Sequence, residues 1–449
     1  MIKSLKKTRR NLTPTHLLVG GYGLVTLMIA ALLTLPTASS NGESQSFGDA
    51  VFMASSGIST SGLAVVDVGK YYSLFGQIVL LIDFQIGGIG YMTLFVFTMY
   101  LLGGRLRLSQ ELVASESLVG PRLADVIHFL IRVTQATLVI EGLGAAVLAW
   151  RWMGEFPLGQ AVYLGIFHSV SAFCTAGFST FSDSLMSYQK DVVVNVTISL
   201  LSLVGGIGFL VLADISHLSK KIVRHEYPRR LSVHSKLAIV VTAVVIVLGA
   251  GLIFAAEKWP SSVTLGDRMM TAAFQSISAS TTDGFNSIDI GAMSATSLCM
   301  LMVLMFIGAS PGSTGGGIKT TTVGVLCVSL WAQLRRSDAN VFRRRIHEET
   351  LHRAYAILLW SLLIILCDIL VLTATENATF LQVLFESVSA LGNVGLSTGI
   401  TPNLSLGGKI LLSVTMFVGR VGPLAIAMTL MSRPKPASYR YAQADLFVG

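Results

Sequence analysis

A twelve-residue segment occurs four times in this sequence, and it constrains the fold more than any other feature. The copies are FMASSGISTSGL, FHSVSAFCTAGF, FQSISASTTDGF and FESVSALGNVGL, beginning at Phe52, Phe167, Phe274 and Phe385. They align without a gap, with Phe first, Ser fifth and Gly eleventh. The glycines are 115, 107 and 111 residues apart. Self-similarity at a near-constant period predicts four related units, each about a quarter of the chain.

Composition places these units in a membrane. Of 449 residues, 52% are hydrophobic and only 12% are charged, whereas a soluble domain has about 25% charged residues. Apolar runs of about 20 residues, enough to cross the hydrocarbon layer, recur along the chain. The sequence therefore predicts an all-α polytopic membrane protein. Its four cysteines, at positions 174, 299, 327 and 367, lie in apolar segments without metal-type spacing and are predicted to be buried thiols.

Each repeat copy is predicted to end a short apolar helix and begin a loop of small residues. These short helices should begin at Phe47, Leu158, Leu265 and Phe380. Longer apolar stretches flank each copy, so a unit should consist of a span, a short pore helix, a re-entrant loop and a second span. The prediction is eight spans and four pore helices around one central pore. The predicted spans are 14–36, 71–102, 126–152, 190–212, 235–256, 295–334, 351–375 and 406–431.

The four units are expected to follow one another in tandem between two polar tails. Their predicted bounds are 14–104, 105–215, 216–336 and 337–432, with tails at 1–13 and 433–449. Lys and Arg are concentrated in the tails and in the three connections between units. The positive-inside rule then makes both termini cytoplasmic, so that the repeat loops open outward. The opposite side is net acidic, which either attracts cations or only keeps that surface solvated. The net charge of +8 requires no nucleic acid partner.

The residues of the repeat suggest what its loop could bind. Gly permits a positive φ and a close approach of backbones, and the ninth residue adds a hydroxyl or an amide. A ring of backbone carbonyls, one segment from each unit, can replace the hydration shell of a monovalent cation. The alternative is four ordinary helix C-caps, in which Gly is common.

With these loops, the chain resembles the membrane subunit of Ktr-type potassium uptake systems, in the Trk/Ktr/HKT superfamily, over essentially its whole length. Trk-type relatives carry an extra N-terminal pair of spans that this sequence lacks, which favours Ktr. The resemblance implies a potassium selectivity filter formed by Thr60, Ser61, Gly62, Thr175, Ala176, Gly177, Thr282, Asp283, Gly284, Asn393, Val394 and Gly395. Plant relatives with Ser in place of the first filter glycine favour sodium, so Gly62 favours potassium. Asn393 departs from the Thr of the other three copies and breaks the strict symmetry.

The segment IGASPGSTGGGIKTTT, from Ile307 to Thr322, interrupts the predicted span of the third unit. Pro costs about 3 kcal/mol and each Gly about 1 kcal/mol in a helix interior, so a continuous helix is disfavoured. The segment nearly matches a phosphate-binding loop, but Ile318 interrupts the motif and no soluble strand precedes it. A helix kink is a second alternative. The favoured interpretation, with which the resemblance agrees, is an intramembrane gating loop at 309–317. The predicted gate residues are Gly312, Ser313, Thr314, Gly315, Gly316, Gly317, Lys319 and Arg420.

Arg420 lies in the middle of the last predicted span, within GRVG, where other units have GGIG with Gly88 and Gly206. A charge at bilayer depth is expensive and normally faces a cavity or a partner. One hypothesis places Arg420 in the pore, bonded to carbonyls of the gating loop, and the resemblance supports it. The alternative is a structural ion pair with Asp83 or Asp368.

Three classes of function compete on these features. Four filter-like copies favour a pore over a coupled cation/potassium symporter, which is normally built from two repeats. The sequence offers no nucleophile with a paired base, so an enzyme is not expected, and no cofactor is predicted. The resemblance also implies a location in the bacterial inner membrane among its lipids, a homodimer, a cytosolic nucleotide-binding ring subunit as regulator, and dependence on sodium.

Overall fold

The computed structural model describes residues 14–90, 123–225, 227 and 230–422, and the chain there is almost entirely helical. For residues 14–19, 90 and 123–130 only the backbone is considered. The predicted tails lie outside the described residues, as do the parts of spans 71–102 and 406–431 beyond Gly90 and Gly422.

In the described residues, the first two units contain eight α-helices. Unit one comprises α1 (Pro14–Leu33), α2 (Phe47–Ile58), α3 (Val68–Tyr71) and α4 (Leu74–Gln85), which continues as a π-helical turn at Ile86–Gly90. Unit two comprises α5 (Leu123–Trp152), α6 (Leu158–Phe173), α7 (Val192–Ile207) and α8 (Phe209–Val223). The span predicted at 190–212 is not one straight helix, because the chain turns by 96° between α7 and α8. Gly208, with a φ of +94°, forms the bend.

The last two units follow the same plan, with one interruption. Unit three comprises α9 (Val233–Ala256), α10 (Leu265–Thr281), α11 (Ala295–Phe306) and α12 (Thr320–Leu334). A two-stranded antiparallel hairpin, β1 (Asn340–Val341) and β2 (Arg344–Arg345), leads to unit four. Unit four comprises α13 (Glu348–Thr375), α14 (Phe380–Gly392) and α15 (Leu406–Val421). The predicted span 295–334 is therefore two helices separated by residues 307–319.

Short polar caps determine where the central helices of each unit begin. The short helices α2, α6, α10 and α14 start at the residues expected from the sequence. In three of them the preceding hydroxyl, from Ser46, Thr264 or Thr379, accepts a hydrogen bond from a first-turn amide. The next long helix of every unit is capped in the same way, by Ser73, Asp191, Ser294 and Ser405. These caps satisfy amides that would otherwise lack partners at a helix start.

Among the described residues, three helices are long and apolar enough to cross a membrane: α5 (from Ile131), α9 and α13. The bent pair α7–α8 is a fourth candidate. The predicted total of eight spans and four pore helices stays a prediction. The cysteine prediction is wrong for three of the four, because only Cys174 is buried and the others are exposed on α11, α12 and α13. An apolar residue of a lipid-facing helix needs no burial within the protein.

The four units are arranged so that the end of the fourth meets the start of the first. The Lys409 ammonium lies 2.6 Å from the Asp49 carboxylate, which joins the beginnings of α15 and α2. We call this junction between units four and one the seam. There the Tyr22 and Phe417 ring centroids are also 4.5 Å apart. The Tyr22 hydroxyl also donates to the Ser55 carbonyl at 3.2 Å. Non-covalent contacts therefore close a ring that the chain itself leaves open.

Candidate functional site

The four repeat loops, residues 59–63, 174–178, 281–285 and 392–396, share one backbone conformation. The ninth repeat residue is left-handed in every copy, with φ of 53°, 51°, 60° and 52° at Thr60, Thr175, Thr282 and Asn393. The eleventh-position glycines also have positive φ, from 64° to 88° in three copies and 89° in the fourth. An ordinary helix cap uses one left-handed residue, usually Gly. A strained non-Gly residue in addition, at a cost of about 1–3 kcal/mol, is typical of functional sites.

The fifth-position serine holds each repeat loop against the helix that precedes it. Its carbonyl accepts a hydrogen bond from the tenth-residue amide in all four copies, at 2.8 Å in three and 3.0 Å in the fourth. The Ser171 and Ser278 hydroxyls donate to the twelfth-residue carbonyls at 2.8 and 2.6 Å. In the fourth copy the Ser389 hydroxyl instead accepts from the Gly395 amide at 3.1 Å. The predicted filter residues therefore belong to loops bonded back onto their own helices.

The loops also contact one another in a closed cycle. A β-carbon on Gly62 would lie 2.5 Å from the Ala176 carbonyl oxygen of the next unit. The same relation joins Gly177 to Asp283, Gly284 to Val394 and Gly395 to Ser61. Each glycine thus contacts the tenth-residue carbonyl of its neighbour, and the fourth returns to the first. Only glycine permits this close approach, which explains why the eleventh position of the repeat is glycine at all four interfaces.

In three of the four copies the second residue holds the chain just after the loop, a role that the sequence analysis missed. The buried Glu386 carboxylate accepts from the Thr398 amide at 3.0 Å and from the Thr401 hydroxyl at 2.9 Å. His168 contacts the Ser179 hydroxyl at 3.0 Å, and the Gln275 amide donates to Ser287 at 3.4 Å. The available signal was a large polar side chain at the same repeat position in three of the four copies.

The GGIG motifs are explained by contacts around these loops. The first glycine, Gly87 or Gly205, lies against the carbonyl of the seventh repeat residue of its own unit. The second, Gly88 or Gly206, lies against the eighth residue of the next unit, Cys174 or Thr281. Since neither position has room for a side chain without movement, the motif is a packing surface between units.

The segment between α11 and α12, residues 307–319, is an irregular loop that we call the break loop. A parallel bridge between Ile307 and Ile318 brings its ends together. The Ser310 and Thr320 hydroxyls are 2.9 Å apart. The Lys319 ammonium donates to the Gly315 carbonyl at 2.7 Å and to the Gly316 carbonyl at 3.3 Å. Most of the loop is buried in protein, which is the condition for irregular backbone at membrane depth.

The break loop contacts the ninth residue of all four repeat loops. The Thr60 hydroxyl donates to the Thr314 carbonyl at 3.1 Å, and the Thr175 hydroxyl lies 3.3 Å from that of Thr314. The Gly316 amide donates to the Thr282 hydroxyl at 3.2 Å. A β-carbon on Gly316 would lie 2.5 Å from the Asn393 side-chain nitrogen. The break loop therefore lies against the ring of four repeat loops on the side of their ninth residues, which we call the lower side.

Arg420 connects this loop to the first unit. The residue is 5% exposed, and its guanidinium donates to two backbone carbonyls, those of Thr314 and Gly87. Thr314 belongs to the break loop and Gly87 to the π-helical turn. Asp368, one of the acids considered for an ion pair, accepts from the Thr415 hydroxyl at 2.9 and 3.0 Å. The arginine thus has the loop contact that the sequence analysis predicted.

Comparison with known proteins decides the family. The family TrkH, described as cation transport protein, matches residues 25–441. The chain belongs to the TrkH family of cation transport proteins. A TrkH-family relative, Ktr system potassium uptake protein B of Vibrio alginolyticus, is 37% identical over 97% of this chain and 95% of its own length. The protein of the same name from Bacillus subtilis (strain 168) is 36% identical, covering 97% of both chains.

Two further comparisons extend this result. The potassium/sodium uptake protein NtpJ of Enterococcus hirae is 32% identical over 99% of both chains. The crystal structure of the potassium transporter TrkH from Vibrio parahaemolyticus superposes with a TM-score of 0.71. It covers 92% of this chain and 84% of the other at 20% identity. The TrkH-family fold is therefore shared with a solved transporter, and the relatives compared here are transporters rather than enzymes.

Proposed function

We propose that this chain conducts potassium into the cell through a pore at the centre of the four repeat loops. The carrying observation is the closed cycle in which each loop glycine contacts the carbonyl of the next unit. Four strained loops bonded back onto their helices supply backbone carbonyls at fixed positions, and such a ring can replace the hydration shell of a cation. Relatives named for potassium uptake support the choice of ion.

Under this proposal the filter consists of the ninth to eleventh repeat residues and the break loop is the gate. The loop bonds to the ring from below, which supports an obstruction at that end of the path. Arg420 holds the Thr314 carbonyl and so stabilises the closed arrangement. Lys319 ties the loop to itself through Gly315 and Gly316. The positive charges of Arg420 and Lys319 near the path also raise the energy barrier for a potassium ion that passes them.

The proposed topology places eight spans and four pore helices around the path, with both termini in the cytoplasm of a bacterial cell. We further propose that two copies pair in the membrane and that a cytosolic nucleotide-binding ring regulates the gate. The name of the Ktr relatives denotes one component of a system, which supports a partner. The relative named for potassium and sodium uptake supports a dependence on sodium.

Flux measurements on purified protein in lipid vesicles test this function. With potassium inside and sodium outside, a selective pore generates an inside-negative membrane potential as potassium leaves, without any coupling ion. A coupled symporter moves potassium only when its partner ion is present and in a fixed ratio. Potassium flux that requires sodium on the same side in a fixed ratio would replace the pore by the symporter. Vesicles without any potassium flux would reject both.

A further inference from the structure

The bend between α7 and α8 is bonded directly to the break loop. The Ser310 amide donates to the Gly206 carbonyl at 3.0 Å, and the Thr314 amide to the Gly205 carbonyl at 3.2 Å. From the other side of the bend, the Phe209 amide donates to the Gly312 carbonyl at 2.9 Å. Phe209 is the first residue of α8. A movement of α8 is therefore transmitted to the loop through the backbone.

A carboxylate in the middle of α8 ties this helix to the start of α9. Asp214 accepts from the Ser232 amide at 3.0 Å and from the Ser235 hydroxyl at 2.6 Å, at the start of α9. Asp214 lies between the loop-bonded end of α8 and its C-terminal end. It can act as a pivot, because the residues on both sides belong to one continuous helix.

The far end of α8 has an exposed face with mixed chemistry. Ile215 and Ile222 are seven residues apart, on one side of the helix, and are 40% and 49% exposed; Val223 is 77% exposed. Lys220, Lys221 and Arg224 flank these apolar residues. An amphipathic helix with apolar residues bordered by cations is typical of helices that lie in a membrane interface. The 96° turn places α8 across the direction of α7, as such a location requires.

We propose that α8 binds the headgroups of anionic phospholipids and thereby stabilises the break loop in its docked position. The proposal rests on the pore and gate described under Proposed function. In this structure α8 is turned and bonded to the loop at the same time. A ligand that favours this pose shifts the population toward it. Anionic lipid should therefore lower the basal potassium flux.

Vesicles of phosphatidylcholine alone, and vesicles with one-third phosphatidylglycerol, provide the test with the purified full chain. Wild-type potassium flux should be at least threefold lower in the anionic vesicles, and high salt should reduce this difference because it screens the headgroups. The triple variant Lys220→Gln, Lys221→Gln, Arg224→Gln should give a ratio near one. Lys220 and Arg224 are exposed and Lys221 is half-buried, and gel filtration of each variant checks that it remains folded.

A second triple variant, Arg336→Gln, Arg343→Gln, Arg344→Gln, removes the same charge from exposed residues beside the β1–β2 hairpin. It should keep the wild-type ratio. Equal wild-type flux in both lipids, or equal loss of the ratio in both triple variants, would overturn the lipid site and leave the pore intact. A lipid-independent flux that responds to an added protein partner through Lys220, Lys221 and Arg224 would assign α8 to that partner instead. Absence of potassium flux in every vesicle would overturn the pore, and this inference with it.

Discussion

Replacing Gly62 by Ser should weaken the preference for potassium over sodium. Gly62 has a φ of +83°, where a residue with a β-carbon loses about 1–2 kcal/mol. The new β-carbon would lie 2.5 Å from the Ala176 carbonyl oxygen, whereas ordinary contacts begin at 3.4 Å. The ring must therefore open by about 0.9 Å at this interface. We expect this opening to remove about 1–2 kcal/mol of the free-energy difference between bound potassium and bound sodium, which is roughly a 5–30-fold loss of selectivity at 1.4 kcal/mol for each factor of ten.

The measurement is the membrane potential generated across vesicles that hold opposed potassium and sodium gradients. Gly42→Ser is the matched control, because Gly42 has a φ of +75° and no heavy atom within 4 Å of the β-carbon position. It introduces similar backbone strain away from the ring and should keep wild-type selectivity. Gly62→Ser protein with wild-type flux and wild-type selectivity would show that this loop does not select the ion.

The remaining predictions concern the break loop, Arg420 and the seam. Deletion of residues 312–317 should raise maximal potassium flux, and loss of flux in correctly inserted protein would give the loop a structural role instead. Arg420→Ala should also increase flux. A positive charge ~6 Å from the ion path, at an effective dielectric of 20, adds a barrier of about 3 kcal/mol before screening. Lower flux with reduced thermal stability would indicate a structural ion pair instead. Lys409→Gln should lower the free energy of unfolding by about 1–2 kcal/mol, and Asp49→Asn should add little to it if the two residues act as a pair. Chemical denaturation of both single variants and the double variant measures this coupling.

The repeat determined much of what could be predicted. Phe47, Leu158, Leu265 and Phe380 begin the short helices as predicted, because apolar periodicity and, in three of the four, a preceding hydroxyl cap are local signals. The bend at Gly208 was missed, because the sequence alone does not show that the residues around it bond to the break loop. That partner is a hundred residues away, and local pattern carries no information about it.

In the candidate site, too, local features could be predicted from the sequence but contacts between units could not. A glycine in a repeated loop indicates positive φ, but nothing in one copy identifies the carbonyl that it will contact in the next. Glu386 and Asp49 illustrate the difference. Each looks like an ordinary acid in the sequence, yet one braces a loop from inside the protein and the other closes the seam. Such roles depend on the order of units around the ring, which only the three-dimensional arrangement reveals.

Joining four units in one chain has a consequence for how such a molecule can diversify. An assembly of four identical subunits would repeat every change fourfold. Four break loops would compete for a single space beneath the ring, and four copies of Arg420 would place four positive charges beside one path. Here each quadrant can change alone, so three can preserve the ring while the fourth acquires a moving part. The seam at Asp49 and Lys409 lets one polypeptide keep the shape of a symmetric assembly while its quadrants take on different tasks.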